Sequence, residues 1–181
     1  MTLALGLLIV RVVIGLTLAA HGAQKLFGWF GGSGFAKFGM GLSKQGLKPG
    51  WLWVLLACLG EFGGGLSLAA GFLTPLGAAG IFAAMLMAML KTHWKNGFWN
   101  GKRGIEYTLT LVAVSVGLGL TGPGDYSLDA LLKTTLPNSA LIFCLLALAG
   151  IIVDSIGLFI SRQPAAPTPA PTQPQTEPRP S

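Results

Sequence analysis

Five apolar runs order this sequence, at about 3–25, 51–73, 75–93, 105–121 and 138–160. A helix crossing a hydrocarbon core of ~30 Å needs about 20 residues, and the runs have that length. They do not alternate apolar with polar, and they are about twice as long as a barrel strand. A helix satisfies its own backbone where water is absent. The pattern therefore predicts an all-α, polytopic membrane helical bundle. Leu73-Thr74-Pro75 joins the second and third runs. Pro is tolerated at the start of a helix, so these two are expected to form a tight antiparallel hairpin.

Composition agrees. The chain is 52% hydrophobic and 10% charged, against about 25% charged in soluble domains. The net charge of +6 comes from 12 basic and 6 acidic residues. Most of the basic residues lie between apolar runs, which points to an anionic bilayer face and not to nucleic acid. Lys25, Lys37, Lys44 and Lys48 lie between the first two runs, and Lys91, Lys95, Lys102 and Arg103 between the third and fourth. The remaining connections hold only Lys133. Alternating basic loops share the cytoplasmic side, so the N-terminus is expected outside and the tail inside, after Arg162. The first run has no basic n-region, carries Arg11 in its middle and is too long for a signal peptide, so it is expected to stay as a helix. Residues 163–181, QPAAPTPAPTQPQTEPRPS, hold seven of the eleven prolines and predict a disordered or polyproline-II tail.

Ionisable residues within spans are candidate functional groups because they are costly to place there. Arg11 and Glu61 come out within ~6 Å of one depth at 1.5 Å per residue, so an intramembrane Arg11–Glu61 ion pair is expected. Arg11, Gly15, Leu18, Gly22 and Lys25 share one helical stripe. Gly60, Gly64, Ser67 and Gly71 form a small-residue seam for a neighbouring helix. A second polar layer gathers near the predicted cytoplasmic end: His21, Gln24, Lys25, His93, Glu106 and Tyr107, with Asp154 at similar depth. Such a layer suits a proton relay or the polar head of a quinone. Interfacial anchoring is the alternative, with Phe27, Trp29 and Phe30 at headgroup level. Cys58 and Cys144 sit in apolar runs without C-x-x-C spacing and read as small buried residues. Two isolated histidines predict no metal site, and Gly31, Gly32 and Gly34 do not make a dinucleotide-binding spacing.

Several of these segments resemble the DoxX family. Arg11 with Gly15, then His21-Gly22 and Lys25-Leu26-Phe27 before an aromatic, glycine-rich loop, is similar to the family's start. Glu61-Phe62-Gly63-Gly64-Gly65-Leu66 with Gly71-Phe72-Leu73-Thr74 is similar to its second helix. Gly104-Ile105-Glu106-Tyr107 resembles the start of the fourth, and Gly122-Pro123-Gly124 with Ser127 and Asp129 resembles the segment after it. The resemblance covers roughly residues 3–132. It implies a small bacterial inner-membrane protein with four core transmembrane helices. Residues 1–132 are then a DoxX-like domain, 133–161 an additional C-terminal fifth helix, and 162–181 the tail. Family members are linked to membrane oxidoreductase work, some resembling a subunit of a thiosulfate:quinone oxidoreductase and others associated with redox-stress complexes.

The leading expectation is thus a membrane subunit of a quinone-linked redox system, with no cofactor bound by a motif of its own. Its expected partners are the lipid bilayer and a soluble redox subunit, with a homo-oligomer left open and no nucleic acid. A small carrier or proton-linked channel is a second reading, built on Arg11 and Glu61 near the midplane. A scaffold recruiting soluble redox enzymes through its loops and tail is a third.

Overall fold

The computed structural model describes residues 1–134 and 136–162, and the Pro-rich segment 163–181 lies outside them. Among the described residues the protein is helical, with no strand. The long helices are α1 (Thr2–Leu26), α3 (Gly50–Ala70), α4 (Thr74–Asn96) and α7 (Ser139–Ile160). Between them lie α2 (Gly34–Lys44), α5 (Glu106–Thr121) and the short α6 (Leu128–Leu132). The first four named are long and apolar enough to cross a membrane. The fourth apolar run becomes α5, which at 16 residues is shorter and spans only ~24 Å. It stops at Gly122, whose φ of +79° ends the helix ahead of Pro123.

α1, α3, α4 and α5 form a four-helix core, and α7 packs outside it against α4 and α5. Leu18, Leu68, Ile81, Met85, Leu111, Leu118 and Phe143 fill the centre. Large apolar side chains also cover the outside, including Leu5, Ile9, Val13 and Leu16 on α1 and Leu145, Leu148, Ile152 and Ile156 on α7. Faces of this kind are stable against lipid and not against water.

Glycines set the register of the core. A Cβ on Gly15 would lie 2.6 Å from the Gly65 carbonyl oxygen, and one on Gly22 would strike Phe62, so α1 and α3 touch backbone to backbone at two points. On another face of α3, Gly60 and Gly64 lie against the carbonyls of Gly80 and Gly77 on α4. The seam expected at Gly60, Gly64 and Ser67 is therefore the α3–α4 contact. The triple glycine points in three directions at ~100° per residue. Gly64 faces α4, Gly65 faces α1, and a Cβ on Gly63 would meet nothing. Where Glu61 sits, α3 widens into a π-turn over Leu59–Gly63, a local feature frequent at functional sites.

The segment between the first two runs is more ordered than its basic composition suggests. Its helix α2 has 11 residues, too few to cross a bilayer. It packs on the start of α3, where Gly39 and Gly50 permit close approach. Phe27, Trp29 and Phe30 are exposed around the turn that precedes it.

Candidate functional site

The buried charge at the centre of the molecule is Glu61, 1% exposed. Its partner is Lys25, whose ammonium donates to Oε1 of Glu61. The ammonium also stands 5.3 Å from the centroid of the Phe38 ring on α2, a cation–π arrangement. Oε2 of Glu61 is buried with no hydrogen-bond partner among the described residues. A cavity of about 70 Å³ opens beside the pair, walled by Trp53, Ala57, Met87 and Lys91. Cys58, one turn before Glu61, is buried with its thiol toward the Gly22 carbonyl, within electrostatic reach of both charges.

The expected Arg11–Glu61 pair does not form. Arg11 is fully buried, but its guanidinium donates at 2.6 Å to the carbonyls of Pro123 and Tyr126. Two physical reasons account for the difference. The glycine crossings place Gly22 beside Phe62 and Gly15 beside Gly65, so Glu61 lies roughly 16 Å deeper than Arg11 at 1.5 Å per residue. Side chains on a helix also lean toward its N-terminus. On α1 that lean carries Arg11 outward, away from Glu61, and carries Lys25 inward toward it. α3 runs the opposite way, so Glu61 leans toward Lys25.

At the Arg11 end the connecting segment is held by a compact polar arrangement. The guanidinium packs on Gly71, whose φ of +65° and missing side chain make room for it. Asp129 lies within electrostatic reach of Arg11 and accepts from the backbone N–H groups of Leu73 and Thr74, at 3.1 and 3.5 Å. A carboxylate there satisfies free N–H groups at the start of α4. Ser127 in turn caps α6 through the Ala130 N–H. This role for Asp129 was not foreseen from the sequence. The hint was an acidic residue in a polar connection that has to cover a helix start at Thr74-Pro75.

The predicted polar layer divides in three. Lys25 joins Glu61, as described. His21 and Tyr107 meet at the rim, Nε2 to Oη 3.5 Å, with Tyr107 within electrostatic reach of Glu61. The remaining members hold loops. The Gln24 amide donates to the Phe30 carbonyl, Nδ1 of His93 lies 2.7 Å from the Arg103 carbonyl, and Glu106 accepts from the Asn100 N–H. Asp154 is buried on α7, facing a groove between α7 and α3 and not the Lys25–Glu61 pair. Glu61 with Lys25, then Tyr107 and His21, thus form a line of polar groups from a buried carboxyl toward the surface. No group of His, Cys, Asp or Glu able to hold a metal ion occurs among the described residues.

Comparison with known proteins identifies relatives of the chain as a whole. The DoxX family model matches residues 6–94. The chain is 31% identical over 130 residues to inner membrane protein YqjF of Escherichia coli (strain K12), a match covering 71% of this chain and 92% of that protein. No solved structure matches.

Proposed function

This chain belongs to the DoxX family of multi-pass inner-membrane proteins, and from that premise we propose that it is the membrane subunit of a quinone-linked redox system. One observation carries the reading: the buried Lys25–Glu61 pair, with an unpartnered carboxyl oxygen facing a cavity that adjoins the apolar interior. A bound quinone supplies the exchange of two electrons coupled to two protons. The residues fit its polar head in kind. Lys25 offers further N–H donors for a carbonyl oxygen, and the free Oε2 of Glu61 can hold or accept a proton. Tyr107 and His21 then lead from Glu61 to the rim, where the imidazole can pass a proton on to water. The chain carries no electron-carrying motif, so electrons come from a partner subunit. We take this end of the bundle, which carries the basic loops, as the cytoplasmic one.

The carrier reading rested on Arg11 and Glu61 sharing one depth, and Arg11 is instead committed to the connecting segment. Quinone titration of the purified protein, followed by thiosulfate-dependent quinone reduction with candidate partners, tests the proposal. Glu61→Gln is expected to weaken quinone binding at least tenfold. His93→Ala, at a loop contact, is expected to change it less than twofold. Wild-type protein that binds no quinone ends the proposal.

A further inference from the structure

A groove far larger than the cavity at Glu61 adjoins it, the two sharing Trp53, Ala57, Ala84 and Met87 as walls. Its volume is about 590 Å³, within the range of small-molecule sites. α3 and α7 form its walls and α4 its floor. The glycine crossings Gly60–Gly80 and Gly64–Gly77 draw α3 down onto α4. α7 packs on α4 further round, where Gly150 meets Ala83. Between these contacts α3 and α7 stand apart. On the α3 wall the lining runs from Trp53 to Ser67, ~21 Å of helix, about two thirds of the hydrocarbon thickness, and Phe72 in the following turn extends it.

The groove is almost entirely apolar, with two polar exceptions of different standing. Ser67 is already engaged, donating to the Phe72 carbonyl at 2.5 Å. Asp154 is 5% exposed, and its Oδ2 is buried with no hydrogen-bond partner among the described residues. It lies on α7 between Gly150, which touches Ala83, and Gly157, which touches Trp53 and Met87. The acid therefore sits near the end that the Trp53 ring closes against α7. A buried carboxyl without a partner is costly, more so than one that is hydrogen-bonded. No Lys, Arg or His lines the groove, so an anionic headgroup would meet an acid and no counter-charge.

We infer that this groove binds a single-chain amphiphile with a neutral hydroxyl head, the hydroxyl donating to Asp154 and the chain lying along α4 toward Phe72. The length, the lateral position and the lone acceptor at one end all match such a molecule, which would enter from the bilayer. The Lys25–Glu61 pair does not itself line the groove, although Trp53, Ala57, Ala84 and Met87 stand between the two spaces, and the inference stands whether or not the quinone reading holds.

The test uses full-length protein in phosphatidylethanolamine/phosphatidylglycerol nanodiscs and a hexadecanol carrying a mid-chain diazirine. After irradiation, labelled peptides are mapped by mass spectrometry. Labelling is expected to concentrate on groove-lining segments of α3, α4 and α7. Excess hexadecanol should suppress it at least fivefold, and excess palmitate should not. Asp154→Leu should lower it at least fivefold, while Asp154→Asn, which keeps an acceptor oxygen, should stay within twofold of wild type. Gly63→Phe places a ring in the groove from a position where a Cβ meets nothing, so it should abolish labelling while leaving the thermal midpoint near that of wild type. Labelling spread evenly over the lipid-facing helices overturns the inference. So does labelling unchanged in both Asp154→Leu and Gly63→Phe, or a groove occupied by a helix of a second copy.

Discussion

The two members of the central ion pair are not equivalent. Glu61 is 1% exposed and Lys25 is 24% exposed, so a freed lysine can swing its ammonium toward the interface while a freed glutamate cannot leave. Lys25→Met should therefore destabilise by about 3 kcal/mol, as an unpaired buried charge does. Glu61→Leu should cost clearly less, and the double variant should recover most of the Lys25→Met loss. Thermal unfolding of all three in one detergent reads this out, and equal losses from the two single variants would contradict it. Arg11 is held differently, by two backbone carbonyls and not by an acid. Charge-assisted hydrogen bonds of this kind contribute roughly 1.5–3 kcal/mol each. Arg11→Leu should free the segment 122–127, seen as faster amide hydrogen exchange there with little change in α3 around Glu61. Protection lost first around Glu61 would mean that the two charges are coupled after all.

Helices in this molecule are placed by what their glycines lack. Gly65 allows α1 and α3 to touch, and a Cβ there would stand 2.6 Å from the Gly15 carbonyl oxygen and the Ala19 nitrogen. Gly65→Leu should force the helices apart. Since α1 carries Lys25 and α3 carries Glu61, it should also break the ion pair. Gly63, two residues earlier, faces open space. Gly63→Ala should be neutral or stabilising by up to ~1 kcal/mol, because alanine is the better helix former. The contrast is measured by thermal midpoint, and a large loss at Gly63 would refute the assigned faces. α2 belongs to this scale as well. Its sequence, GFAKFGMGLSK, mixes lysines and glycines in a way that reads as loop. It is helical because α3 offers a packing surface, with Phe38 lying over Lys25, and most of a short helix's stability comes from such packing.

For the molecule as a whole, the charge pattern gives an expected orientation. Lys25, Lys91, Lys95, Lys102 and Arg103 gather at one end, with Arg162 following α7. The N-terminus and the segment after α5 lie at the other. By the positive-inside rule the basic end is expected in the cytoplasm. In a Cys144→Ser background, Asp125→Cys should react with a membrane-impermeant maleimide in intact spheroplasts. Gly101→Cys should react only after permeabilisation. The reverse result would invert the topology and move the Lys25–Glu61 pair to the outer face.

The sequence by itself determined the five apolar helices, one of them short, the family, and Arg11 and Glu61 as charges that had to be buried. These are one-dimensional properties: hydropathy over about 20 residues, a glycine period, and motifs in order along the chain. It also marked Gly60, Gly64, Ser67 and Gly71 as a seam, because helical period fixes which residues share a face; the first three hold, while Gly71 lies past the helix end against Arg11. Only the tertiary structure decided who partners whom. Depth counted from estimated run ends paired Arg11 with Glu61. The true register comes from backbone contacts at Gly15 and Gly22, and the direction of each side chain follows the direction of its helix. Arg11's carbonyl acceptors, Asp129's hold on the start of α4 and the groove beside Asp154 were equally out of reach. Each depends on segments more than 50 residues apart in the chain, brought together by helix packing that hydropathy does not encode.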